Sequence, residues 1–193
     1  LCVGQCMMVE QEQHVVNVLT ATQLWLEKAV IGLNLCPFAK AVYVKQQVHC
    51  VVSAAEGEAA LLLELQVELE ALSNMDPQQR DTTLLIIPNQ FNDFLDFNDF
   101  IGEADALLED MGLEGVLQIA SFHPQFQFAG TDVDDVSNYT NRAPYPIVHV
   151  LREASIDRAV ASFPDASSIY ERNIETLEGL GVAGWQALFK TSC

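Results

Sequence analysis

Basic residues are scarce in this chain: nine Lys plus Arg stand against 27 Asp plus Glu among 193 residues, a formal charge of −18 with the four histidines neutral. A surface of that sign repels phosphate backbones and anionic lipid, which disfavours DNA, RNA or a membrane as the main partner. Long apolar runs are missing too. The richest window, residues 15–38, is interrupted by Gln23, Glu27, Lys28 and Asn34, and nothing reaches the roughly 18 to 20 apolar residues of a membrane span. The cysteines are odd in number (Cys2, Cys6, Cys36, Cys50, Cys193) and show no CxxC spacing, so a disulfide framework is not expected and a reducing cytoplasm is the simpler setting. Neither GxGxxG, GxxxxGK[ST] nor GxSxG occurs, which removes nucleotide binding of those types and the serine-hydrolase elbow.

What is present is a foldable composition, 50% hydrophobic and 19% charged, with a mean hydropathy of +0.16. That length and balance predict one compact domain able to bury a core without metal or disulfide staples. The opening residues LCVGQCMM lack the basic start and apolar run of a signal peptide. Residues 1–14 are expected to be a disordered extension, the first six being upstream translation before Met7 and Met8, and residues 15–190 to be the globular domain. Cys2, Cys6 and Cys193 then fall on frayed ends.

Apolar spacing predicts an amphipathic helix over 11–35, a strand over 42–53, and a Leu- and Glu-rich helix over 56–72. A short buried strand follows over 81–88, then a helix over 92–111 and a strand over 115–122. A further strand is expected at 147–151 and short helices over 155–163, 167–180 and 182–189. Strands alternating with helices make an α/β or α+β fold, here a small mixed, partly parallel sheet of about four strands flanked by helices.

Residues 124–146 have no period, and a loop of that length in a compact domain is either functional or disordered. It and its flanks hold His123, Asn138, Asn141, Arg142, His149 and Arg152, with two of the four histidines and three of the five arginines (Arg142, Arg152, Arg158) between 123 and 158. Following a strand, such a loop leaves the carboxyl end of the sheet, where open α/β sheets bind ligands. The bland alternative is that Arg142 and Arg152 pair with Asp132, Asp134, Asp135 and Glu153 to pin the loop. Cys36, in NLCPF, is a candidate nucleophile or redox centre if His123 or His149 comes within reach as base, with Asn138 or Asn141 as orienter; the competing reading is a buried small side chain. A helix amino end would lower its thiol pKa, and the tail of the preceding helix would raise it. A metal site from His123, Asp132, Asp134, Asp135, His149 and Glu153 lacks HxH, HExxH and calcium-loop spacing, so none is assigned, and no cofactor is indicated.

The stretches WLEKAVIGLNLCPFAKAV, DTTLLIIP, ASFHPQFQFAGT, DDVSNYTNRAPYPIVHVLREASIDRAV and YERNIETLEGLG, spanning about residues 22–190, resemble a bacterial family known as domain of unknown function 1415. The resemblance implies a cytoplasmic single-domain protein and carries no activity or site residue. Two readings follow from the residues themselves. In the first, the chain is a small-molecule enzyme for an anionic substrate, a carboxylate or phosphate: Arg142 and Arg152 hold the anion with Asn138 and Asn141 beside them, His123 or His149 moves a proton, and Cys36 is the reactive thiol. In the second it is a noncatalytic binding or protein-interaction module whose anchors are Phe126, Phe128, Tyr139 and Tyr145.

Overall fold

A computed structural model describes residues 2–163, 165 and 168–190, with the backbone alone for residues 2–9. The expectation for Cys193, and those for the side chains of Cys2 and Cys6, lie outside the described residues. The first helix, α1 (Cys2–Trp25), is longer than its apolar spacing predicts. Residues 10–14 are exposed, and burial begins around Val15 and Val18. It continues into a π-helical turn (Leu26–Ile31), followed by α2 (Ala39–Val44), β1 (Val48–Val52), α3 (Glu58–Asn74), β2 (Thr82–Ile86), α4 (Phe94–Asp110) and β3 (Leu117–Phe122). A 3-10 turn (Val136–Asn141), β4 (Ile147–Arg152), α5 (Glu153–Ala161) and α6 (Ile169–Leu188) complete the chain.

Two boundaries differ from the sequence reading. The alternating apolar residues of 42–53 are divided between α2 and a strand of only five residues, the break falling at Gln46 with a φ of 57°. The two expected closing helices run together as α6 across a kink at Gly181, where a φ of 65° suits a residue without Cβ.

The four strands form one mixed sheet in the order β1-β2-β4-β3. β1 pairs parallel with β2, while β4 lies antiparallel between β2 and β3, so β1, β2 and β3 share one direction. The last strand is thus central. Both faces of the sheet are covered, which is why β2 (TTLLI) is buried at every position and reads as a continuous apolar run. On one face, Leu61, Leu65, Leu69 and Leu72 of α3 and Phe97, Phe100, Ala104 and Leu108 of α4 pack on Leu85, Leu117, Val148 and Val150. Their spacing of three and four residues keeps each row on one helix face. On the other, Val18, Trp25, Leu26, Ala29 and Val30 join Leu177 and Trp185 of α6 over Leu84, Ile86 and Ile147. The result is three layers, helices on a sheet on helices.

Candidate functional site

The second of these layers is incomplete. Between the sheet and the segments that should cover it lies a cavity of about 700 Å³. Val48, Thr82, Leu84, Gln118, Phe122, His149 and Leu151 of the sheet face it, as do Trp25, the π-helical turn, the Cys36 turn and one side of α5. A mostly apolar hollow with a few convergent polar groups is the usual form of a small-molecule site. It lies on the sheet face and takes in Val48, Thr82 and Gln118 near the amino ends of the three co-directional strands, away from the carboxyl-end loop where the parallel-sheet rule directs attention. The antiparallel β4 brings its own carboxyl end, Leu151 and Arg152, to this side.

His149 projects into the cavity because alternation along β4 sends Val148 and Val150 to the α3–α4 core and the imidazole to the opposite face. Its Nε2 lies 2.7 Å from Thr82 Oγ1, which is also 2.7 Å from the Val150 carbonyl oxygen. The hydroxyl has one proton, and a carbonyl can only accept. Thr82 therefore donates to Val150 and accepts from Nε2–H, which fixes the tautomer and leaves Nδ1 as a bare lone pair. Nδ1 has no protein partner, and it is not sealed off either: among the described residues Thr140 Oγ1 is the only buried, unpaired side-chain atom. The lone pair is open to the cavity. Burial pushes the imidazole down to about 4, so it is neutral at pH 7.

Cys36 is placed by its neighbours. At the end of the π-helical turn Gly32 approaches the backbone so closely that a Cβ would sit 2.4 Å from the Lys28 carbonyl oxygen, and Asn34 takes a left-handed φ of 55°. Cys36 N–H returns to the Val30 carbonyl, and the carboxamide of Asn173 on α6 donates to the Leu35 carbonyl at 2.9 Å. The sulfur receives the peptide N–H groups of Phe38 and Ala39, which favour a thiolate. Desolvation outweighs them, and the thiol is pushed up. The lowering expected of a helix amino end is present in those two N–H groups, but the raising comes from burial and not from the tail of the preceding helix. Cys36 and His149 line one cavity but share no direct hydrogen bond.

Of the other expected site residues Arg152 also lines the cavity, whereas His123, Asn138, Asn141 and Arg142 lie elsewhere. His123 is 1% exposed, its Nδ1 accepting from Gln125 N–H and its Nε2 meeting the Phe91 carbonyl at 2.8 Å. It stacks on Phe97 within the α4 layer. Asn138, wholly buried, accepts from Phe128 N–H and Thr131 and donates to the Asp132 carbonyl. Asn141 donates to Ser121. Arg142 gives its N–H groups to the carbonyls of Phe126 and Val133 and lies over the Tyr139 ring. Arg152 gives its own to those of Arg80 and Met75. Neither forms the ion pairs weighed above; among the described residues the single salt bridge joins Arg80 to Glu68. The long loop is held by side chains bonded to backbone. Its aromatics are half-buried, Phe126 against Phe94 and Phe128, Tyr139 against Trp185.

The sequence reading did not single out Thr82, the partner of His149, or Phe38 and Phe163, whose rings meet edge to face 5.7 Å apart beside the cavity. Arg158 stands out in the sequence only as one of three clustered arginines. The signal for Thr82 was present: a threonine pair at the start of an otherwise aliphatic buried strand needs partners. Among the described residues no three His, Cys, Asp or Glu side chains gather as metal ligands, and no helix is long and apolar enough to cross a membrane.

Neither the curated proteins nor the solved structures give a match to the chain. A family model does match, over residues 17–187, nearly the whole length and including every wall of the cavity. The chain belongs to the family described as Protein of unknown function (DUF1415).

Proposed function

We propose that the protein is a small-molecule enzyme whose substrate occupies the cavity, with His149 as proton acceptor and Cys36 as nucleophile. The observation that carries this reading is the neutral imidazole of fixed tautomer, its lone pair open to an apolar cavity that Cys36 also lines. Nucleophile, base and orienter are the three parts of thiol-dependent acyl transfer, and here Thr82 takes the orienting role. The Cys36 thiol passes its proton to Nδ1, through a group of the bound molecule or a water between them. The sulfur attacks an activated carbonyl, a C–S bond forms as the carbon–leaving-group bond breaks, and the leaving group departs with the proton from the imidazole. Water then attacks the thioester, giving one proton to the imidazole, which returns it to the sulfur as the acid leaves. Phe38 and Ala39 N–H groups meet the thiolate as it forms. The free thiols of Cys36 and Cys50 suit a reducing bacterial cytoplasm.

Short p-nitrophenyl esters test the chemistry. The expected result is acylation of Cys36 in preference to Cys50, seen by peptide mass spectrometry and slowed at least about 100-fold by His149→Asn. Acylation of Cys36 no faster than that of Cys50 and indifferent to His149 would overturn it. Cys36→Ala and His149→Ala variants that each lose several kcal/mol of stability would mark the side chains as structural. One observation favours a second reading, in which the cavity holds a ligand without turnover: burial keeps Cys36 protonated, and no direct bond joins it to the imidazole. That protein would bind and never acylate.

A further inference from the structure

The charged side chains lining the cavity are Asp81, Arg152 and Arg158, two positive and one negative, in a chain where acids outnumber bases three to one. The three have different duties. Asp81 accepts from Ser155 Oγ at 2.6 Å, and Arg152 is held by the Arg80 and Met75 carbonyls. Arg158, one turn beyond Ser155 on α5, donates through a single Nη2 to Ser155 Oγ at 2.9 Å, and no carboxylate among the described residues pairs with it. Its remaining N–H groups stand at the rim of an otherwise apolar hollow. The chain Arg158, Ser155, Asp81 fixes the guanidinium at that end while leaving it able to bind.

We propose that the cavity receives an organic monocarboxylate that carries, apart from its carboxylate, the acyl group Cys36 attacks, its apolar body against Trp25, Phe38, Phe122 and Leu151 and its carboxylate on Arg158. The assignment rests on the reading of the cavity as a small-molecule site and names the substrate class. Arg152 and Asp81 offset each other, and the one positive charge left to a ligand, that of Arg158, matches one carboxylate. A phosphate monoester carries roughly −1.5 to −2 at pH 7 and presents three acceptor oxygens, more than this rim offers donors for. The Arg158 guanidinium meets a carboxylate through forked hydrogen bonds that an alcohol cannot reproduce.

Calorimetric titration of the full chain with 4-phenylbutyrate, 4-phenylbutanol and phenyl phosphate tests it, in the wild type, Arg158→Gln and Arg158→Lys. Arg158 is exposed, so neither substitution disturbs the core. The expected result is that the acid binds about tenfold more tightly than the alcohol, a margin typical of one charge-assisted hydrogen bond. Arg158→Gln abolishes that margin, and Arg158→Lys keeps part of it. Equal binding of acid and alcohol to all three proteins overturns the carboxylate assignment and leaves the cavity a ligand site. Tighter binding of phenyl phosphate, lost in Arg158→Gln, overturns it in favour of phosphate. Failure of all three compounds to bind overturns this proposal together with the reading beneath it.

Discussion

The neutral state of His149 has a measurable consequence for folding. In an unfolded chain the imidazole titrates near 6.5, and in the fold desolvation lowers it to about 4. A depressed histidine pKa means that the unfolded chain binds the proton more readily. The native state is therefore favoured fully above pH 6.5, and stability is lost as pH falls toward 4, with no further loss below it. The whole effect is about 3 kcal/mol, of which about 2 kcal/mol is gone by pH 5. Urea unfolding at pH 7.5, 6 and 5, followed by tryptophan fluorescence, measures it while staying above the isoelectric point of about 4.2. Other groups titrate in this range, His123 among them with its pKa lowered by burial, so the informative quantity is the difference between the wild type and His149→Asn. His123 is common to both and cancels. The difference should shrink by about 2 kcal/mol from pH 7.5 to pH 5, and a difference constant across that interval would refute the desolvated, neutral imidazole. Nitrogen-15 shifts of the ring give a separate check, with Nε2 protonated and Nδ1 bare at pH 7.

Gly32→Ala should cost about 2 kcal/mol, because a Cβ 2.4 Å from the Lys28 carbonyl forces backbone to move; thermal unfolding measures the loss, and an unchanged midpoint would show that the π-helical turn relaxes freely. Arg152→Met removes the donors to the Arg80 and Met75 carbonyls and should cost about 2–3 kcal/mol with no effect on 4-phenylbutyrate affinity; a large loss of affinity in a folded variant would return Arg152 to the binding role. Asn138→Ala should destabilise by a similar 2–3 kcal/mol and speed amide exchange at Phe128, whose N–H it holds. If exchange there is unaltered, the loop is held by other means.

The layers were legible because both helix faces and the central strand carry their burial in the order of residues. Leu61, Leu65, Leu69 and Leu72 recur at helical spacing, and Leu84-Leu85-Ile86-Ile87 can only be a strand covered on both sides or part of a buried helix. Strand order was not legible. Residues 147–151 read as a strand, yet nothing local says that it inserts between β2 and β3; pairing such as Leu84 with His149 and Ala120 with His149 is a property of the whole sheet. The same pairing decided the site. Cys36 and His149 were readable as chemistry, but whether His123 or His149 would share the cavity depended on which sheet face each occupies. The arginines misled in an instructive way: clustered cations in an acidic chain suggested either a ligand clamp or ion pairs, whereas Arg142 and Arg152 serve exposed-loop and helix-end carbonyls. A backbone acceptor leaves no mark in the sequence.

The cavity exists because α5 covers the sheet without packing into it. Ile156, Ala159 and Phe163 recur at helical spacing and line the hollow, yet none of the nine residues of α5 is buried. An amphipathic helix of that kind ordinarily seats its apolar stripe in a core. Here α5 begins directly at Glu153, where β4 ends, so its start is fixed at the sheet edge. Phe163 meets Phe38 beyond the Cys36 turn and is in turn capped by Arg172 at 5.0 Å. The helix is held at its two ends and stands off between them. Apolar surface left uncovered in this way costs stability that a closed core would have supplied. The chain tolerates that cost where Arg158, Ser155, Cys36 and His149 line the hollow, and the proposed ligand, with its apolar body, would recover on entering part of the free energy lost from packing.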